Sequence, residues 1–296
     1  MKWIISVPVN GKFYIKRFLS GPFQSMLRAL EQIDTPWQFL IHTNQPELLT
    51  EVSRRTDSRV TFLPYPKGNP YEAFGKAHHE AINSTGFRDA ICLLCADITV
   101  SIECFKACED RFKQGFKAIY CAGTRTNPPF PPIGAKSREL LEYGVNHMHQ
   151  INRDTIWGKA KSKIPSMLQF GDKDNLTMRA FHLHPFSIIK DRDFPSFGVT
   201  IDAGLAAWFW EEEIHIVADP DEMSVLETSP KTKYFGRFRQ HLTVDFIAQW
   251  SYYNINNRHL WFFQHPIVLT GNKPKLGEDI ANKILDKLGV KTPQLA

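Results

Sequence analysis

The first 122 residues alternate between short apolar segments and longer segments of helical periodicity, and this alternation constrains the fold more than any other feature of the sequence. Apolar residues at helical spacing, such as Phe18, Met26 and Leu30, predict a helix after the first apolar segment. Strands that alternate with helices form right-handed βαβ units and a mostly parallel sheet. The pattern therefore predicts an α/β fold. The predicted strands are 3–9, 37–42, 59–63, 90–95 and 117–122, and the predicted helices are 14–33, 46–55, 71–83 and 102–114.

The pattern becomes less regular after residue 125, where proline, turn-forming residues and polar segments are frequent. We expect the second part of the chain to be more irregular than the first, with no clean linker between them. Residues 124–132 are rich in proline and turn-forming residues. The predicted elements are a loop at 165–175, helical structure within 134–163 and near 243–253, a strand within 177–189 and another at 214–218.

Asp97 follows the apolar segment 90–95 almost directly, at the point where the predicted strand must emerge into a loop. Ligands of open α/β sheets bind in the crevice beyond the carboxyl ends of the strands. An acid at this position is well placed to hold a divalent cation against a phosphate group. The alternative is that Asp97 caps a helix that begins near Ser101. The surrounding βαβ pattern favours the metal-binding interpretation.

The segment from Lys67 to Asp97 resembles the core of the GT-A-fold, nucleotide-sugar-dependent glycosyltransferases. In that family an Asn/Gly turn leads into a helix with a basic residue near its start, and the next strand ends in an Asp-x-Asp motif. Lys76 matches the basic position, and Asp97 matches the last acid of the motif. Cys95 stands where the first acid is usual. The resemblance covers roughly residues 1–125.

This resemblance implies a Rossmann-type, mostly parallel sheet flanked by helices. Residues 1–125 would form the nucleotide-sugar-binding half, and 126–296 the acceptor-binding and catalytic half of the same domain. The implied reaction moves a sugar from a UDP- or GDP-sugar to a glycan, a lipid-linked acceptor or another hydroxyl acceptor. Asp97 would hold Mn²⁺ or Mg²⁺. Further donor-binding residues would be Lys76 and, near the ends of the first two strands, Pro8, Val9, Thr43 and Asn44.

His182 and His184 would point to the same face if both lay on one strand, because side chains alternate along a strand. Two imidazoles on one face would complete a metal site with Asp97. The alternative places one histidine in the core, bonded to a backbone carbonyl, and the other on the surface.

Asp202 precedes an apolar segment that is predicted to be helical. The resemblance implies that it is the general base toward the acceptor hydroxyl, and the alternative is a helix N-cap. An acidic turn that contains Asp219, Asp221 and Glu222 supplies other candidates, although a solvated loop explains it equally well.

Arg237 and Arg239 lie in a segment that interleaves charged and aromatic residues. Guanidinium groups suit diphosphate binding, and aromatic faces suit sugar or base stacking. Single-stranded nucleic acid would use the same composition, so a nucleic-acid partner stays open. A surface segment whose phenylalanines are buried is the structural alternative.

Two further classes of function are compatible with the sequence. A nucleotidyltransferase also places acids at strand ends, but that class usually carries a Gly-rich basic loop after its first strand, and Asn10-Gly11-Lys12 matches it weakly. A non-catalytic protein that binds sugar or nucleic acid on a degenerate transferase fold is the other, and Cys95 favours it.

The composition excludes little. A net charge of +5 fits an anionic small ligand as well as a nucleic-acid or membrane surface. No apolar run approaches the roughly 20 residues that span a bilayer, and the amino terminus is too short an apolar segment for a signal peptide, so we predict a cytoplasmic protein. The paired spacings of four of the five cysteines permit a zinc site, but reduced thiols in the core explain them better.

Overall fold

We describe the chain from a computed structural model, which covers residues 1–158, 161–162, 165–195, 201–229, 240–271 and 277–290, with only the backbone at 161–162 and 201–203. The strands are β1 (Trp3–Ser6), β2 (Trp37–His42), β3 (Val60–Leu63), β4 (Ala90–Leu93), β5 (Ile98–Val100), β6 (Ala118–Cys121), β7 (Gly123–Thr126), β8 (Lys161–Ser162), β9 (Met167–Gly171), β10 (Leu176–Ala180), β11 (His184–Ile189), β12 (Ile214–Ile216), β13 (Val225–Thr228), β14 (Gln240–His241) and β15 (Ile267–Thr270). The helices are α1 (Lys12–Ser20), α2 (Pro22–Leu30), α3 (Thr50–Arg55), α4 (Pro70–Ser84), α5 (Cys104–Lys113), α6 (Ser137–Asn146), α7 (Gln150–Arg153), α8 (Ile201–Ala206), α9 (Val244–Asn254), α10 (Asn257–Phe263) and α11 (Glu278–Lys287).

A seven-stranded sheet forms the centre of the molecule, in the order β12-β6-β11-β4-β1-β2-β3. Six of these strands run in one direction, and β11 is antiparallel to its neighbours β4 and β6. The predicted α/β fold with a mostly parallel sheet is therefore confirmed. Two of the seven strands, β11 and β12, come from the irregular second part of the chain.

Hydrophobic side chains cover both faces of the central sheet. One cluster contains Trp3 and Phe39 with α1, α2 and α5, and the other contains Ile91 and Tyr120 with residues of α4, α8 and α10. Because both faces are buried, the strands consist of nearly continuous apolar residues rather than alternating ones.

The sequence analysis places Cys95 in the core, but this residue is only partly buried. The other four cysteines lie in this core. Burial raises the pKa of each of their thiols, so these groups are protonated at neutral pH. They are Cys92, Cys104, Cys108 and Cys121.

Several predicted boundaries differ from the structure for local reasons. The single helix predicted for 14–33 is two helices, because Pro22 lacks a backbone N–H and begins α2 after a break at Gly21. The prediction of loop at 165–175 is wrong, because β9 and β10 form an antiparallel hairpin there. The Asp172 side chain accepts hydrogen bonds from the N–H groups of Asp174 and Asn175 and so stabilises the hairpin turn.

A second sheet of three strands, in the order β5-β13-β7, lies beyond the carboxyl ends of the central strands. Its strands β5 and β7 follow β4 and β6 within a few residues. The first residues of the proline- and turn-rich segment 124–132 belong to β7. This small sheet carries residues from distant parts of the sequence to the end of the central sheet.

A third sheet, β15-β10-β9, packs with α9 and α11 around a separate cluster that includes the stacked rings of Phe181 and Phe263. Within the residues that the structure describes, no helix has both the length and the apolar character that a membrane crossing requires.

Candidate functional site

The strand order of the central sheet reverses beside β1. From β1 the chain builds outward through β2 and β3, whereas β4 pairs with the opposite edge of β1. Such a switch point separates the loops on its two sides and leaves a crevice, which is where ligands of open α/β sheets bind. A cavity of about 840 Å³ occupies this place. Its size is that of a typical small-molecule site.

Two asparagines connect the loops that follow β1, β2 and β3. The Asn44 backbone N–H donates to Asn10 Oδ1 at 3.4 Å, and the Tyr65 N–H donates to Asn44 Oδ1 at 3.0 Å. Both asparagines and Tyr65 line the cavity. The two bonds tie three consecutive loops together and so hold one side of the cavity in a defined shape.

Aromatic side chains form much of the cavity wall. Tyr14 comes from α1, Tyr65 from the loop after β3, and Tyr71 and Phe74 from the first turns of α4. Burial, followed by the proximity of Cys95 and Tyr14, raises the pKa of Tyr65, so its hydroxyl stays protonated. Flat aromatic faces beside amide groups suit a nucleobase or a sugar ring.

Helix α4 begins at the cavity and its start is well defined. The Asn69 side chain accepts a hydrogen bond from the Glu72 N–H at 3.0 Å, and Pro70 occupies the first helical position. The preceding Gly68 has a backbone φ of +141°, which residues other than glycine rarely adopt. Lys67 lines the cavity beside this turn.

Lys76, which the resemblance assigns to donor binding, is not among the residues that line the cavity. Its Nζ forms an exposed ion pair with Glu72 Oε1 at 2.9 Å, one helical turn earlier. The basic side chain that the structure places at the cavity from this segment is Lys67 instead.

Asp97 lies between β4 and β5 and lines the cavity with 4% of its surface exposed. Its carbonyl accepts a hydrogen bond from the Thr228 N–H at 3.0 Å, which attaches this loop to β13. Helix α5 begins only at Cys104. The alternative that Asp97 caps this helix is therefore wrong. Cys95 also lines the cavity.

Arg125 and Glu227 are cavity residues that the sequence analysis missed. They are register partners on the parallel strands β7 and β13, and Arg125 Nε donates to Glu227 Oε2 at 2.7 Å. Ser229 Oγ donates to the second carboxylate oxygen at 2.5 Å. The β-branched residues that flank Arg125, in Gly-Thr-Arg-Thr, were the one local signal of a strand there.

The residues predicted at the ends of β1 and β2 divide into two pairs. Pro8 and Asn44 line the cavity. Val9 is fully buried in the core, and the nearly buried Thr43 uses its hydroxyl to accept the Gln45 N–H. Val9 and Thr43 therefore do not line the cavity.

His182 and His184 do not share a strand face, because β10 ends at Ala180 and β11 begins at His184. His184 Nε2 donates to the Leu93 carbonyl at 2.8 Å, whereas His182 is exposed and its ring meets that of His259 edge-on. Neither lines the cavity. Among the described residues, no cluster of three or more His, Cys, Asp or Glu side chains is arranged to hold a metal ion.

The burial of His259 makes the stability of the fold depend on pH. Its Nδ1 accepts the Asn256 N–H at 3.1 Å, and burial, then the nearby His182, lower its pKa to about 4. Because the unfolded chain binds the proton at a pKa of about 6.5, stability is complete above that pH and declines as the pH falls toward 4. The full pKa shift would lower the free energy of unfolding by on the order of 2 kcal/mol between pH 7 and pH 5. Solvent screening reduces this loss to about 1 kcal/mol.

We expect His259→Gln to abolish this part of the pH dependence while leaving stability at pH 7 within about 0.5 kcal/mol, because glutamine also suits this capping position. Urea unfolding of both proteins at pH 7 and pH 5 measures the difference. An unchanged pH slope in the variant contradicts the assignment.

The remaining predicted site residues are not among those that line the cavity, and two of them lie outside the described residues. Asp202 is the second residue of α8, which packs against β11, and its side chain is not described. Arg237 and Arg239 lie outside the described residues. In the acidic turn, Asp221 pairs with Arg138 at 2.6 Å, and Glu222 accepts hydrogen bonds from Arg111 and His215.

Comparisons with known proteins leave the family open. No protein-family model matches the chain, and no curated protein matches it. Solved structures with a similar path include S. aureus TarS 1–349, with 12% identity over 97% of this chain and 70% of that one and a TM-score of 0.39. The inositol-1-phosphate CTP transferase of T. maritima has 10% identity over 86% of this chain and 98% of that one, also with a TM-score of 0.39.

A putative glucose-1-phosphate thymidylyltransferase from Bacillus anthracis has 12% identity over 45% of this chain and 62% of that one, with a TM-score of 0.30. Similarities at these TM-scores assign neither a family nor an activity. The function is therefore argued from the cavity.

Proposed function

We propose that the chain is a glycosyltransferase that binds a nucleotide sugar in the switch-point cavity and moves the sugar to a hydroxyl acceptor. The observation that supports this most is the position of Asp97, a nearly buried acid at the carboxyl end of β4, within a cavity of about 840 Å³. The same cavity offers aromatic walls, amide groups and the basic side chains of Lys67 and Arg125. These groups match the base, ribose and diphosphate of one ligand.

The donor would lie with its base and ribose against Asn10, Asn44 and Tyr65. These residues line the side of the cavity that the hydrogen bonds between the loops hold in place. The diphosphate would then extend across the ends of β1 and β4 toward Asp97. This orientation puts the anionic part of the ligand near Arg125 and the flat ring beside Tyr65.

The cavity residues fit a divalent ion that arrives with the substrate. Within the described part of the chain, the carboxylates that line the cavity are those of Asp97, beyond the end of β4, and Glu227, which accepts hydrogen bonds from Arg125 and Ser229. Mg²⁺ and Mn²⁺ need one or two carboxylates besides substrate phosphates, so Asp97 is the residue that would hold the ion. Bound there, the ion would neutralise charge on the departing diphosphate. We do not retain His182 and His184 as ligands, because neither lines the cavity.

In the transfer, the bond between the anomeric carbon and the diphosphate oxygen breaks, and the oxygen keeps the electron pair. The acceptor oxygen forms the new bond to that carbon and loses its proton. We propose Asp202 as the base that takes this proton if the reaction inverts the anomeric configuration. Asp202→Asn is then expected to lose turnover but keep donor affinity.

Thermal unfolding in the presence of UDP-, GDP- and CMP-sugars, each with and without Mn²⁺, tests the proposal. A donor at about 100 times its Kd adds about 2.7 kcal/mol to the stability of the native state, enough to raise Tm by several degrees. Free monosaccharide is the control and should leave Tm unchanged. Absence of a shift with every nucleotide would contradict the proposal.

Product analysis in two parallel incubations separates the two transferase classes. One contains the selected nucleotide sugar, and the other contains the matching nucleoside triphosphate with a sugar phosphate. Glycosyl transfer releases a nucleoside diphosphate, whereas nucleotidyl transfer from a nucleoside triphosphate releases pyrophosphate. Pyrophosphate as the product would replace the proposed function with the second.

A further inference from the structure

We infer that Arg125, held in place by Glu227, is the main cationic contact for the diphosphate of the ligand. This inference rests on the proposed nucleotide-binding function and adds a phosphate-binding residue to it. Neither residue lies in the segment from Lys67 to Asp97, whose motifs carry the resemblance to glycosyltransferases. Both reach the cavity only through the small sheet β5-β13-β7.

The small sheet brings three separate segments to one end of the cavity. Glu227 pairs in register with Arg125 of β7 on one side and with Ile98 of β5 on the other. Adjacent strands lie about 4.8 Å apart. Since Asp97 directly precedes Ile98, the arginine is only two strands away from the acid at the end of β4.

The position of the guanidinium group is restricted by the carboxylate beside it. Glu227 accepts from Arg125 Nε at 2.7 Å through one oxygen and from Ser229 Oγ at 2.5 Å through the other. An arginine fixed at Nε keeps its planar group in one orientation, which lowers the conformational entropy lost when it binds a ligand. The Arg125 side chain still exposes 27% of its surface, at the cavity wall.

The charges around the cavity explain why this arginine matters. Replacement of the first motif acid by Cys95 leaves Asp97 as the one motif carboxylate for a divalent ion. A guanidinium group is permanently charged and binds phosphate oxygens through paired N–H donors, independently of any ion. Among the residues that the structure describes, Lys67 is the other basic residue on the cavity wall, and it lies on an exposed turn.

Binding of nucleoside diphosphates and of the matching nucleosides tests the inference. Isothermal titration with UDP, GDP and CDP, in EDTA and in Mn²⁺, first identifies the base. We expect Arg125→Gln to weaken diphosphate binding in EDTA at least tenfold and nucleoside binding less than threefold. Glu227→Gln keeps the charge of Arg125 but holds its guanidinium group less firmly. We expect it to lower diphosphate affinity by less than Arg125→Gln does.

Arg111→Gln is the matched control. Its Nε donates to Glu222 Oε1 at the same 2.7 Å, with similar exposure, but Arg111 does not line the cavity. We expect it to leave both affinities unchanged. If Arg125→Gln does not fold, Arg125→Lys keeps the charge without the paired donors, and an at least threefold loss restricted to the diphosphate supports the inference.

The outcomes separate the two proposals. If the wild-type protein binds no nucleotide, the proposed function fails. If it binds a diphosphate and the Arg125 variant that folds binds diphosphate and nucleoside with wild-type affinities, the inference about Arg125 fails and the proposed function stands. An equal loss of affinity for nucleoside and diphosphate also overturns the inference about Arg125, because such a loss indicates a general structural role of this residue.

Discussion

Replacing Asp97 by asparagine is expected to lower the turnover of the donor identified by thermal unfolding by about 100-fold or more. Asparagine has nearly the same shape as aspartate but no charge, so the cavity keeps its form and loses the carboxylate that would hold the divalent ion. Removal of one group that stabilises developing charge in an active site costs on the order of 100-fold to 1,000-fold. The side chain is almost completely buried at the cavity, so solvent provides little compensation.

Steady-state kinetics at saturating Mn²⁺ measure this effect, and the Mn²⁺-dependent part of the Tm shift with the donor should disappear as well. Asp110→Asn is the control, because Asp110 is an acid on the exposed face of α5 that pairs with Lys106. It should retain wild-type turnover. Wild-type turnover in Asp97→Asn would remove Asp97 from the mechanism, whatever the result for Arg125.

Replacing Trp3 by alanine is expected to lower the free energy of unfolding by about 4 kcal/mol. Trp3 is fully buried on β1, and its ring packs edge-on against Phe105 at 5.1 Å. Truncation of a large buried aromatic typically costs 3–5 kcal/mol, through lost burial and the cavity left behind. Nε1 also donates to Glu109 Oε1 at 3.1 Å, so the substitution leaves a buried carboxylate without this donor.

Urea unfolding measures the change. Trp3→Phe keeps most of the ring but loses the donor, and about 2 kcal/mol is expected for it. Trp210→Ala is the control, because Trp210 is 70% exposed and should change stability by less than about 0.5 kcal/mol. Equal effects of Trp3→Ala and Trp210→Ala would show that burial in this core does not determine the stability.

The part of the site that could be predicted is the part that a single chain segment encodes. Asp97 follows its strand in sequence, and Pro8 and Asn44 follow theirs, so a correct strand assignment places all three at the cavity. Lys76 shows the limit of this reasoning. Lys76 lies on α4, the helix that begins at the cavity, but the direction of each side chain around a helix depends on how the helix packs. The basic residue of this segment that lines the cavity is Lys67 instead.

His182 and His184 fail for a related reason. Alternation along a strand is a valid rule only while the strand continues, and the chain leaves β10 before His182 and enters β11 at His184. Where a short strand begins and ends is decided by the strands that lie beside it in space. The same applies to β9, which is stabilised by its hairpin partner β10.

The sequence by itself determined the α/β alternation, the buried strand that ends near Asp97 and the core location of Cys92, Cys104 and Cys108. These features follow from local periodicity and from the preference of apolar residues for burial. Only the tertiary structure decided that Arg125 and Glu227 face the same cavity as Asp97. They are 102 residues apart and meet because β13 inserts between β5 and β7, a long-range strand pairing that no local pattern encodes.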